Sequence, residues 1–179
     1  MKKTIAYIIL LITFLITYFL QVNIFTNLKM FGVAPNLFIL LILSIGLFLG
    51  KYNGLVLGII FGFMLDIYAG KIIGETAILF GLLGYVAGRI DKNFSKESRI
   101  IFLTIFAAMT CIYEISKYLI ECIIYKNQFL IVSFSQILLL EILYNSIIII
   151  IIHSLIINFG YAVQKLIKRD RIMSRYWGG

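Results

Sequence analysis

Charge is scarce in this chain, and so are the residues that do chemistry. Only 13% of its 179 residues are Asp, Glu, Lys or Arg, while 62% are apolar. That lies far beyond the balance of a water-soluble domain and makes lipid the solvent. There is one histidine and there are two cysteines. Cys111 and Cys122 stand eleven residues apart on one apolar segment, about 16 Å of helical rise, so they cannot form a disulfide with each other. His153 has no second histidine or cysteine near it, which leaves no metal site. No Walker loop, HExxH helix, nucleophile elbow or paired-aspartate protease signature occurs, so the sequence offers no catalytic residues and calls for no cofactor.

What the chain has is apolar length. Runs at about 4–20, 35–49, 54–69, 74–90, 99–123 and 133–159 predict an all-α membrane protein of six transmembrane helices in a single polytopic domain, 1–179. The second, third and fourth runs are short for full spans. No small-residue cleavage site follows the run from Ile5 to Leu20, so it reads as a retained first span.

The net charge of +8 sorts by loop. With the amino terminus inside, twelve of the sixteen Lys and Arg residues fall on cytoplasmic segments, three (Lys29, Lys71, Lys126) fall outside, and Lys117 lies within the fifth run. This bias predicts both termini in the cytoplasm. The basic tail, 160–179, suits anionic membrane lipids. Because the basic residues form no aromatic-interleaved stripe, nucleic acid is not expected as a partner.

Polar and small residues inside the runs are the candidate functional positions. Pro35 is placed to begin the second helix, after a connection from Gln21 to Asn36 expected along the outer interface. Ser95 or Ser98 is expected to cap the fifth helix. Gly54, Gly58 and Gly62 repeat every fourth residue, as do Gly84 and Gly88, a spacing that lets helix backbones approach within the protein or against a partner. Gly46 and Gly50 extend the pattern toward a hairpin turned at Lys51-Tyr52-Asn53.

Asp66, near the end of the third run with Gly70 and Gly74 beyond it, is expected to cap the fourth helix or to serve a substrate or proton. Glu114, Lys117, Tyr118 and Glu121 share one helix face, as an ion-paired cluster or a pocket. Glu141 and Asn145 lie one turn apart on the sixth run, and His153 is expected to hydrogen-bond a neighbouring helix.

Ala34-Pro-Asn-Leu37, the glycine ladder Gly54 to Gly62, Leu65-Asp-Ile67 with Gly70 and Gly74, and Gly84-Tyr85 together resemble the rod shape-determining MreD family. Tyr113-Glu114 with Tyr118, and Glu141 with Tyr144-Asn145, resemble the second half of that pattern. The resemblance implies a non-enzymatic scaffold subunit of the bacterial cell-elongation complex in the plasma membrane. Its partners would be an MreC-like bitopic protein, an MreB-like actin, and the polymerase and transpeptidase of lateral peptidoglycan synthesis. It also implies a fold similar to the six-helix substrate-binding subunits of energy-coupling-factor vitamin transporters.

That similarity supplies the alternative function, a vitamin-binding transporter subunit with Glu114, Lys117, Glu121 and Glu141 around an outward-facing pocket. Against it, such subunits carry an alanine-xxx-alanine pair on the first helix, where this chain has only Ala6.

Overall fold

The computed structural model describes residues 2–29, 32–69, 72–90, 98–125 and 130–176. All of its regular elements there are helical: α1 (Lys2–Leu20), α2 (Leu37–Leu49), α3 (Lys51–Ala69), α4 (Glu75–Ile90), α5 (Arg99–Tyr125) and α6 (Ile131–Tyr176). Four stretches are long and apolar enough to cross a membrane, namely Lys2–Phe25, Lys51–Tyr68, Arg99–Tyr125 and Ile131–Ile167.

Helix α2, at 13 residues, rises only about 20 Å and cannot cross a hydrocarbon layer of about 30 Å. It is also apolar on every side, and ten of its residues are buried. Such a helix belongs at the centre of a bundle. The structure puts it there, touching all five of the others. Its lack of large exposed apolar side chains contrasts with α1, α3, α5 and α6, which present Ile12, Phe63, Ile123 and Ile151 outward. One continuous apolar cluster joins all six helices.

Helix α3 packs most closely on α4. A Cβ at Gly54 would collide with the Gly84 carbonyl, and one at Gly84 with the Gly54 carbonyl. One at Gly58 would strike the Phe80 carbonyl, and one at Gly62 would lie 2.5 Å from the Ala77 Cα. Gly46 of α2 meets Gly84 and Ala87 in the same seam. Backbone therefore rests on backbone across three helices, which is how helices cohere in lipid, where apolar side chains gain nothing by leaving the solvent. Helix α1 joins the bundle through aromatic rings, with Phe14 stacked on Phe61 at 4.4 Å and Tyr18 edge-on to Tyr68 at 4.9 Å.

Four expectations are corrected. The hairpin turns at the single residue Gly50, whose φ of 87° and ψ of 170° suit only glycine, and Lys51-Tyr52-Asn53 form the first turn of α3. Gly50 thus turns the chain, and no neighbour would meet a Cβ there. The first helix does not stop at Leu20 but continues as a π-helical turn through Gln21–Phe25, because no proline or glycine interrupts it. The basic segment after residue 159 is not a separate tail, since α6 runs unbroken to Tyr176 through residues of good helix propensity.

His153 is buried edge-on against Phe102 at 4.9 Å, and its Nε2 has no hydrogen-bond partner. Among the described residues no group of three potential metal ligands forms. Ser95 lies outside the described residues; the Ser98 carbonyl accepts from the Phe102 N–H at 3.0 Å.

Gly58→Leu is expected to lower stability by at least about 2 kcal/mol, because the Phe80 backbone cannot yield to the new side chain. Gly81→Ala should cost less, since the atoms in its way belong to the Ile59 and Leu55 side chains. Thermal unfolding of the two variants in the same detergent checks the order.

Candidate functional site

A short helix inside a membrane leaves unpaired amides and carbonyls at its ends, with no water to satisfy them. In this protein the candidate residues Asn36, Asp66 and Asn145 lie at those ends.

At the start of α2, Gln21 reaches across from the first helix. Its Nε2 donates to the Pro35 carbonyl at 2.8 Å, and its Oε1 accepts from the Leu37 N–H at 3.0 Å. Asn145 of α6 accepts from the Asn36 N–H at 2.9 Å, and the Asn36 side chain accepts from Ile39 N–H at 3.4 Å as the N-cap. Pro35 is fully buried in this clamp. The Ala-Pro-Asn-Leu motif is thus the point where α1, α2 and α6 are tied together. Tyr144 adds a tie by donating to the Leu28 carbonyl at 2.6 Å.

The far end of α2 has a matching anchor, because Gln164 of α6 donates from Nε2 to the Phe48 carbonyl at 2.6 Å. Gly160, one turn earlier, leaves the space that the Phe48 ring fills.

Helix α4 begins after Gly74, which has a φ of 103° and no side chain with which to cap. Asp66, only 3% exposed, supplies the cap from α3. Its Oδ2 accepts from the Gly74 N–H at 2.9 Å and the Ala77 N–H at 3.2 Å, and its Oδ1 from the Thr76 N–H at 3.1 Å. A carboxyl among the amides at a helix start also meets the positive end of the helix dipole. Gly70 lies outside the described residues.

The remaining polar residues lie between α5 and α6. Glu114, Lys117, Tyr118 and Glu121 line a groove of about 330 Å³ with Leu130, Ser133, Phe134 and Ile137. Tyr118 stacks on Phe134 at 4.2 Å, and its hydroxyl oxygen accepts from the Leu130 N–H at 3.0 Å. Lys117 Nζ lies 6.0 Å from the centre of the Tyr113 ring. Glu141 and Asn145 are buried outside this groove. Glu141 neighbours Glu114, which borders the groove and lies near the Asn36 side chain. The candidate pocket residues Glu114, Lys117, Glu121, Glu141 and Asn145 therefore divide into a surface groove, with the first three, and a buried pair beside the α2 clamp.

Sequence reasoning did not single out Gln21 as an anchor, nor Gln164 or Gly160 at all. A glutamine at each edge of an apolar segment is the one signal the sequence carries for them.

These features define a class: a polytopic helical membrane protein in which Gln21, Asp66, Asn145 and Gln164 hold the ends of short helices in place. A family model for the rod shape-determining protein MreD matches residues 1–163. The chain belongs to the MreD family of rod shape-determining membrane proteins. No curated protein and no solved structure matches it.

Asp66→Ala removes the acceptors for three amides and is expected to lower stability by about 2 kcal/mol or more. Asp66→Asn, which retains one acceptor oxygen, should recover part of the loss. Limited proteolysis between α3 and α4, together with thermal unfolding in detergent, reads the difference.

Proposed function

We propose that the protein is a non-catalytic scaffold of the rod complex, embedded in the bacterial plasma membrane and required for lateral peptidoglycan synthesis. The observation that carries this reading is the use of Gln21, Asp66, Asn145 and Gln164, each of which bonds the backbone of a short helix. Side chains held in this way brace a bundle and are withdrawn from proton transfer or ligand turnover. The glycines Gly54, Gly58, Gly62 and Gly84 face inward in the α2–α3–α4 seam. Partner helices of an MreC-like bitopic protein, or of the polymerase and transpeptidase, would then meet the outer faces that the seam holds rigid. Val56, Ile60 and Phe63 give α3 such a face.

In this reading all six helices lie within the bilayer, α2 enclosed by the others and α4 packed on α2, α3 and α5 with Ile78 and Leu82 facing outward. The charge bias of the loops supports placing both termini in the cytoplasm, within reach of an MreB-like actin. The groove between α5 and α6 favours a second reading, a vitamin-binding subunit with the fold of energy-coupling-factor transporters. It is open and shallow where such a ligand would need to be enclosed.

Depletion in the native rod-shaped cell is expected to round the cell and to scatter new wall insertion. Photocrosslinkers at Phe63 should capture a single-span partner. Normal shape on depletion, with a growth defect cured by one vitamin, would establish the transporter reading instead.

A further inference from the structure

A large cavity lies apart from the polar anchors described above, although Phe48 and Gly160 form part of its wall. It is a groove of about 440 Å³ between α1, α2 and α6, running from Leu10 to Leu20 on α1 and from Ile152 to Val163 on α6. Its lining is aliphatic and aromatic apart from Thr13, Thr17 and Ser44. These three hydroxyls donate to their own helices, to the carbonyls of Ile9, Thr13 and Leu40 at 2.8, 2.8 and 2.7 Å. No donor is left for a polar ligand, so the groove suits hydrocarbon.

A second cavity of about 290 Å³ lies on the same two helices, lined by Lys2, Ala162, Lys165 and Leu166. On α6, Phe159 and Val163 of the first cavity each stand three residues before Ala162 and Leu166 of the second, while on α1 the intervening Ala6 is buried. The apolar groove thus ends beside a pair of lysines.

We infer that these neighbouring cavities bind one anionic phospholipid, with an acyl chain in the groove and the phosphate between Lys2 and Lys165. The small residues of the lining, Thr13 and Thr17 on α1, Ser44 on α2 and Gly160 on α6, are spread over three helices. Gly160, the one glycine in the lining, is already filled by Phe48. Charge selects the headgroup, because both charged residues of the second cavity are basic and juxtamembrane lysines attract anionic lipid.

The test is native mass spectrometry of the full chain in detergent micelles containing equimolar phosphatidylglycerol and phosphatidylcholine. Retention of one phosphatidylglycerol in preference to phosphatidylcholine is expected. Lys2→Gln with Lys165→Gln should cut that preference by about fivefold per lysine. Thr13→Phe with Thr17→Phe, which fills the groove from the lipid-facing helix, should reduce retention of both lipids while helical content is unchanged. Equal retention of the two lipids by the unaltered protein would overturn the inference. So would phosphatidylglycerol retention unaffected by either double variant, or a photocrosslinker at Leu155 that captures a polypeptide and no phospholipid.

Discussion

The constraint on which this structure depends is the cost of an unpaired backbone group in hydrocarbon. Helices α2 and α4 have 13 and 16 residues, about 20 and 24 Å, so enclosing them in the bilayer brings helix ends toward its apolar layer. Each orphan amide or carbonyl there costs several kcal/mol unless protein supplies a partner. The longer helices supply it: Gln21 from the first, Asp66 from α3, Asn145 and Gln164 from α6. Asp66 and Asn145, two of the buried polar residues of this apolar chain, are thereby accounted for. The same bonds fix where the short helices sit, because a helix end bound by a side chain at each side cannot slide.

Anchored ends alone would leave the helix bodies loose, since lipid exerts no pressure on one apolar surface to join another. The glycine seam provides the lateral term. Gly46, Gly54, Gly58, Gly62 and Gly84 let three backbones meet without intervening side chains, which maximises dispersion contact. Two kinds of interaction thus act along different directions. Polar anchors set position along the membrane normal, and glycine contacts set spacing within the membrane plane. A bundle fixed in both directions presents its outer faces at constant separation, which is the property a scaffold for several partner helices requires.

Much of this was legible in the sequence, for reasons that differ by residue. The apolar runs predicted six transmembrane helices; the structure has six helices among the described residues, and four stretches are long and apolar enough to cross a membrane. The runs could not show that α2 is enclosed by the other five, because a span facing lipid and a helix facing protein are equally apolar. Asp66 is a carboxyl before a glycine-rich turn, and that context already suggests a cap across the turn. Gln21 and Gln164 bond to backbone on distant helices, and no spacing rule links residue 164 to residue 48. Each stands where an apolar segment gives way to polar residues, so each looks like an ordinary interfacial side chain. The glycine ladder was visible as spacing, yet only the structure shows Gly50 serving the turn while Gly46 and Gly54 serve the seam. The extent of α6 was hidden because the basic residues after 159 set charge and orientation without ending a helix.

The long helices also differ among themselves in what they leave free. Helix α3 is committed on its glycine side and open on the side of Val56, Ile60 and Phe63. Helix α1 buries only Ala6, Leu10 and Phe14 and borders the large groove, so it is the least enclosed of the set. If α1 were held by ring contacts alone, the α2 clamp would depend on a helix free to drift, because Gln21 lies at its end. A hydrocarbon chain in the groove would add contact between α1, α2 and α6 along the stretch where their side chains do not meet. The clamp at Gln21 and the occupancy of the groove are then coupled: whatever fills the groove steadies the helix that carries the glutamine, and through it the start of α2.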